Sequence, residues 1–242
     1  MKDFNSLSGR VVLVTGAGSG LGAALCAQLV EDGARVAAVD IDEARAHALV
    51  AQLRRPEASI EPFVIDVGSA PDVRRGLDQA IERFGRLDAI VNCAGVDVTV
   101  PIEELEVEAW ERVLCTNLTG PFLMSKLALS SLEPGGHIVN VASTAALRAW
   151  PNASAYHASK WGLLGLTYAM HAELRSAGIK VSAIVAGGMR TPFLLDRFPD
   201  IDPEVLQDPG HVARAICFVL TQPGDSVIPE IMVLPVRETS WP

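Results

Sequence analysis

Residues 10–22 read RVVLVTGAGSGLG. Val11 to Thr15 form an apolar, β-branched run of strand length, and LGAALCAQLVEDG, from Leu21 onward, carries leucines at helical spacing. Between them lies TGAGSGLG (15–22), whose glycines at 16, 20 and 22 clear a strand-to-helix turn of side chains. The backbone N–H groups of such a loop, here Gly16 and then Ser19, Gly20, Leu21 and Gly22, can approach a diphosphate at the helix N-terminus. A glycine pattern alone has many false matches, and a tight turn plus a helix-capping acid is its plain alternative. The context decides here, with a strand before, a helix after and an acidic residue, Asp40, ending the next strand.

The same alternation runs through the chain. RVAAVD (35–40) precedes a polar helix from Asp42 to about Arg54, then come IEPFVID (60–66), PDVRRGLDQAIERFG (71–85) and LDAIVNCAG (87–95). Helical segments run through Leu132, GGHIVNVAS (135–143) is a strand, and Ser154–Ala177 has a helical pattern. IKVSAIVA (179–186), HVARAICFVLTQ (211–222) and SVIPEIMVLP (226–235) complete the series. Strands apolar throughout are covered on both faces, as in a parallel sheet with crossover helices. The expectation is an α/β fold: a single doubly wound, Rossmann-type domain over 1–242, its central parallel sheet flanked by helices on both faces.

Composition fits that expectation and removes several classes of function. Of 242 residues, 49% are hydrophobic and 20% charged, as in a soluble globular chain. A net charge of −9 argues against a nucleic-acid surface. Cys26, Cys93, Cys115 and Cys217 stand apart in apolar settings, without Cys-x-x-Cys pairs or histidines at ligand spacing, so reduced core thiols and no metal are expected. MKDFNSLSGR has no apolar stretch of signal-peptide length, and VVLVTG is too short to span a bilayer. A cytoplasmic protein without membrane contact is expected.

The candidate site gathers at the carboxyl ends of strands, where open α/β sheets bind ligands. The Asp40 carboxylate can accept hydrogen bonds from adenosine ribose hydroxyls and would repel a 2′-phosphate, which points to NAD. Asp66, ending VID, can meet an adenine amino group, and NCAG (Asn92, Cys93, Ala94, Gly95) offers a small, close-approach backbone. AYHASKWG (155–162) sets Tyr156 and Lys160 one helical turn apart, a pair that in isolation is ordinary for a helix surface.

Taken in order, TGAGSGLG, Asp40, the Asp66–Val67 pair, NCAG, Asn117, Ser143 and YHASK resemble the conventional single-domain short-chain dehydrogenases/reductases, and the match covers nearly the whole chain. The resemblance implies that Tyr156 is the general acid/base, Lys160 its activator and a holder of the nicotinamide ribose, Ser143 the substrate-orienting hydroxyl, and Asn117 a backbone and water anchor. It also implies Thr191 as a contact to the cofactor's amide or phosphate, transfer of the pro-S hydrogen, and a homo-oligomer (tetramer or dimer). The physical argument runs in parallel: a free tyrosine has a pKa of about 10, and a nearby ammonium plus an oxidised nicotinamide would lower it toward phenolate.

The resemblance further implies that 189–209 is a substrate lid, with Met189, Phe193, Leu194, Leu195 and Phe198 its apolar surface, while Leu147 and Trp150 line the pocket mouth. Gly187 stands where the family usually has proline, which predicts a looser backbone there. Arg190 is expected as a solvated loop arginine, His157 as surface, His137 as the end of a turn, and Glu103, Glu104, Glu106 and Glu108 as an exposed helix face. Lys126 and Arg175 are expected at the surface too. Phe122, Leu123, Leu163 and Leu166 are candidate subunit contacts, and the 235–242 tail ends near Trp241. The predicted reaction is NAD-dependent interconversion of a small-molecule secondary alcohol and its ketone. β-Ketoacyl-thioester reduction and a non-catalytic NAD-binding regulatory role are the alternatives.

Overall fold

The computed structural model describes residues 6–56 and 59–237. Trp241 therefore lies outside the described residues. Seven parallel strands form one sheet: β1 (Val11–Thr15), β2 (Arg35–Asp40), β3 (Ser59–Val64), β4 (Leu87–Asn92), β5 (Leu132–Ser143), β6 (Lys180–Ala186) and β7 (Glu230–Val233), in spatial order β3-β2-β1-β4-β5-β6-β7. The sequence winds outward in opposite directions from β1 and β4, so a crevice opens beyond their carboxyl ends. Val12 pairs with Ala89 and Thr15 with Asn92 across that division.

Helices cover both faces, which is why the central strands are apolar without alternation. On one face α1 (Gly20–Glu31) packs against α8 (Pro209–Leu220), with Leu25 and Leu29 joining Ile216 and Leu220 over Val12, Val14 and Val36. On the other, α3 (Ala70–Phe84), α5 (Gly120–Ala128) and α6 (Ser154–Leu174) bring Leu77, Met124 and Met170 onto Leu13, Ile90 and Ile138. The helix stops are local. Ser69 accepts from the Asp72 N–H at the start of α3, and Gly85, at φ 75°, ends it with its N–H on the Ile81 carbonyl. Asp42 caps α2 (Glu43–Leu53) by accepting from the Arg45 N–H.

Between α4 (Val107–Leu114) and α5 the chain continues through one wide π turn, Cys115–Thr119, which buries Asn117 completely. Such turns redirect a side chain inside a continuous helix. A short helix, α7 (Pro192–Leu195), follows β6 and begins the stretch that leads to α8. Among the described residues no helix is long and apolar enough to cross a membrane.

Candidate active site

A cleft of about 880 Å³ opens at the carboxyl ends of the strands. One end is walled by the β1–α1 loop with Asp40, Asp66 and Val67, the middle by Ala94, Gly95, Ser143, Tyr156 and Lys160, and the far end by Trp150, Met189, Phe193, Phe198 and Leu206.

The loop after β1 is built for close approach. Gly16, at φ 67°, lies so near Ala94 that a Cβ would sit 2.8 Å from its Cα, and a Cβ on Gly22 would be 2.1 Å from the Gly16 carbonyl oxygen. This cradle fits the phosphates of a dinucleotide, because α1 begins at Gly20 with Ser19 making no side-chain cap bond to its first N–H groups. Thr191 is buried against the same loop, its Cβ and Cγ2 each 3.3 Å from where a Gly20 Cβ would lie. Asp40 is anchored: one oxygen accepts from the Gly18 N–H (2.8 Å) and the other from the Asp42 N–H (3.0 Å). Asp66 similarly accepts from the Gly68 N–H at 2.9 Å.

Sequence reading passed over Arg45 here. Its stem packs on Gly18, its guanidinium pairs with Asp42 (3.2 Å), and it lines the cleft beside Asp40. In the first turn of α2, it was hidden by the ordinary appearance of that polar helix.

At the centre, Ser143 ends β5 and Tyr156 and Lys160 lie one turn apart on α6. The Ser143 side chain lies close enough to the Tyr156 hydroxyl to favour its phenolate, and the Ser143 oxygen accepts from the Ala145 N–H (3.1 Å). Lys160 Nζ donates to the Val141 carbonyl (2.8 Å) and stands 5.7 Å from the Tyr156 ring centroid. Burial dominates both groups. It pushes the tyrosine up to about 12, against the opposing influence of Ser143, and the lysine down to about 8. The tyrosine shift is opposite to the one expected from its lysine neighbour: desolvation of the phenolate is the largest influence, and the Asp97 carboxylate adds to it.

Several sequence-predicted residues serve the site from behind. Asn117 does not line the cleft. Its Oδ1 accepts from the Val96 N–H (2.8 Å), and its Nδ2 donates to the Val96 carbonyl (2.8 Å) and Ser159 Oγ (3.0 Å), so the side chain is a backbone anchor. Asn92 is also turned inward, donating to Asn140 Oδ1 (2.8 Å) within the sheet, because its place on β4 points it at β5 and not at the crevice. Leu147 packs with Ala142, Ala146 and Leu164 instead of facing the pocket, whereas Trp150, Met189 and Phe193 do line it.

Other expectations are corrected as well. His157 is buried: its Nδ1 bonds the Ala145 carbonyl (2.9 Å), and its Nε2 accepts from the Trp150 N–H (3.1 Å). His137 is buried in β5 against Ser182 Oγ (2.8 Å), and burial beside Lys180 and Arg10 lowers it to about 3. Cys93 and Cys115 are half-buried on the cleft wall, while Cys26 and Cys217 are core thiols. Gly187 is not loose, since its N–H, which a proline would lack, donates to the Val233 carbonyl (2.9 Å). Arg190 is exposed as expected, with Nη1 on the Leu206 carbonyl at 2.6 Å.

The sequence reading also missed an ion pair at the far end of the cleft, between Asp97 and Arg197. Asp97 follows NCAG by two residues, and Arg197 lies between two phenylalanines on the stretch after α7. The only signal for them was an aromatic-flanked arginine.

A family model described as short chain dehydrogenase matches residues 10–202. The chain belongs to the short-chain dehydrogenases. It is 43% identical over 184 residues to a D-threitol dehydrogenase of Mycolicibacterium smegmatis, a match spanning 75% of this chain and 70% of the relative. Among solved structures it resembles a 3-ketoacyl-(acyl-carrier-protein) reductase from Brucella melitensis complexed with NADH (31% identity, TM-score 0.85, covering 96% of this chain and 99% of that one). It also resembles an alcohol dehydrogenase from the archaeon Thermococcus sibiricus complexed with 5-hydroxy-NADP (25% identity, TM-score 0.87, covering 95% and 97%). This short-chain dehydrogenase is thus an oxidoreductase on a Rossmann-like sheet, and the Ser143–Tyr156–Lys160 cluster lies where its dinucleotide crevice meets the apolar end of the cleft.

Proposed function

We propose that the enzyme interconverts an uncharged secondary alcohol and its ketone with NAD(H). The observation that carries this reading is the gathering of Ser143, Tyr156 and Lys160 on one cleft wall, at the junction between a phosphate cradle and an apolar pocket. A bound nicotinamide would supply the hydride chemistry at its C4 carbon. Gly16, Ser19, Gly20, Leu21 and Gly22 would hold the diphosphate, Asp40 the adenosine ribose, Asp66 and Val67 the adenine, and Thr191 the nicotinamide half. In the reducing direction Tyr156 donates its phenolic proton to the carbonyl oxygen, while Ser143 Oγ fixes that oxygen. In the oxidising direction the phenolate takes the alcohol proton back. The segment 189–209 covers the substrate end. Asp97 and Arg197 neutralise each other there, which supports a substrate without charge near its reacting carbon.

Reduction of a β-ketoacyl thioester is the second reading, favoured by the Brucella relative. That relative was solved with NADH, so Asp40 does not count against it. Turnover of an alcohol and polyol panel, set beside an acetoacetyl thioester and followed by NADH absorbance, separates the two. Tyr156→Phe should lower kcat at least about a hundredfold while nucleotide affinity stays within a few-fold. Retained turnover would remove Tyr156 from the chemistry.

A further inference from the structure

Beyond the four residues implied by family resemblance, the far end of the cleft contains a charged device. Arg197 lies with its guanidinium 4.0 Å over the Phe193 ring centroid and donates from Nε to the Phe193 carbonyl (2.7 Å). Phe193 in turn packs on Tyr156, with ring centroids 5.8 Å apart. The stack is closed on its outer side by Asp97, whose carboxylate takes the Arg197 Nη1 bond and also accepts from the Val98 N–H (2.7 Å). The Asp97 side chain is 7% exposed and that of Arg197 21%, so the pair is shielded enough for removal of either partner to leave an uncompensated charge in the pocket. Two segments far apart in sequence are joined by it: the loop after β4, which Asn117 anchors at Val96, and the stretch after α7.

We propose that Asp97 and Arg197 are positioning residues for the reaction: clamped together across the pocket, they seat Phe193 on Tyr156 and balance the charge beside its hydroxyl. The groups facing that hydroxyl are few. Ser143 approaches from β5, Lys160 from the tyrosine's own helix, Asp97 from the loop after β4 and Arg197 from the stretch after α7. Asp97 favours the neutral phenol and Arg197 the phenolate, so in the closed pair they oppose each other at the atom that exchanges the proton. Asp97 also favours the charged form of Lys160. Opening the pair by losing only the cation leaves the anion in control, so Tyr156 stays protonated to higher pH and its phenolate becomes scarcer.

The chain has two tyrosines, so Tyr168→Phe leaves Tyr156 as the only phenol, and a carbon-13 label on the tyrosine ring carbon that bears oxygen reads its ionisation directly by NMR. In that background Arg197→Gln should move the titration upward by at least about half a pH unit, as expected for one nearby unpaired carboxylate in a partly shielded site. Arg197→Lys should keep the midpoint, and Asp97→Asn combined with Arg197→Gln should bring it back toward the parent. The titration is run on the nucleotide-free chain and again with whichever of NAD+ and NADP+ binds. It needs no substrate, so failure of the alcohol–ketone reading would appear separately, as absent nucleotide binding or turnover. Superimposable curves for Arg197→Gln and the parent, or a double variant that shifts as far as the single one, would overturn the proposal.

Discussion

At the end of β2 the Asp40 carboxylate spends one lone pair of each oxygen on a backbone N–H, from Gly18 and from Asp42, and the remaining pairs can accept ribose hydroxyls. A 2′-phosphate placed there would meet a fixed negative charge. Arg45 lines the same corner, held by Asp42, and its cation offsets part of that repulsion. We expect NAD(H) to exceed NADP(H) by at least about tenfold in kcat/KM, or about 1.4 kcal/mol. Asp40→Ser should narrow that gap, and adding Arg45→Ala should take back part of the NADP(H) gained; equal efficiencies in the unmodified enzyme would sink the assignment. Acid–base behaviour follows from the same kind of reasoning. Burial keeps Tyr156 protonated, at about 12 before nucleotide binds, so the acid needed for ketone reduction is present throughout the neutral range. Alcohol oxidation needs the phenolate, so its kcat should climb with pH on the acid side by about tenfold per unit until the tyrosine or another step levels it. Reduction should stay flat between about pH 6 and 7 and weaken as pH rises through 8, where Lys160, held near 8, loses its charge. Oxidation rates independent of pH would contradict this. The acid–base pair was legible because its spacing is local. Arg45 was not, because only the fold brings its stem against Gly18.

Between β5 and α6 the chain forms a short 3-10 turn, Thr144–Ala146, and a bend through Trp150, all within reach of Ser143 and Tyr156. His157 ties this loop to the helix at two points, and its ring meets the Trp150 ring edge-on with centroids 4.4 Å apart. The bonding pattern requires the neutral ring with the proton on Nδ1, since Nε2 must accept. A helical wheel turns His157 away from the Tyr156–Lys160 face and toward water, and the reading failed because the covering partner is a loop that no periodicity announces. His157→Phe strands the Trp150 N–H and the Ala145 carbonyl, a cost of about 1–3 kcal/mol. Thermal unfolding should fall by roughly 2–4 °C per kcal/mol for a chain of this size. The substrate KM should rise by more than kcat falls, since Trp150 lines the pocket while Ser143 keeps its own bond to Ala145. A variant that loses stability with unchanged KM would confine His157 to packing. His137 misled for a related reason: the Gly135–Gly136 pair reads as a turn, yet β5 already runs from Leu132 and carries the histidine into the sheet.

Across the whole molecule the sheet was readable because each buried strand is apolar on both faces and some crossover helices carry their own bounds, as with Asp42 at α2 or the Ser69–Gly85 bounds of α3. The division of strand order at β1 and β4 follows from those crossovers. Which helix faces stay uncovered was less readable. Phe122 is 40% exposed and remains a candidate subunit contact, Leu123 and Leu166 are half-buried against the core, and Leu163, at 1% exposed, cannot supply an outer face. On α6 the solvent side is instead Trp161, Gly165 and Tyr168, at helical spacing, with open space where a Gly165 Cβ would point. A stripe of two exposed aromatics around a glycine lets another backbone approach closely, and its exposure in a lone chain is unfavourable. We propose that the enzyme is a homo-oligomer, a tetramer or dimer, that buries this stripe together with Phe122. Trp161→Glu places a charge on the stripe and should shift the assembly toward monomers at micromolar concentration, while nucleotide affinity, set chiefly by the loop after β1 and by Asp40, changes little. Light scattering across a hundredfold dilution reads both proteins. A unmodified enzyme that stays monomeric at every concentration refutes the assembly, and a Trp161→Glu variant that keeps the parent's mass moves the interface to another face.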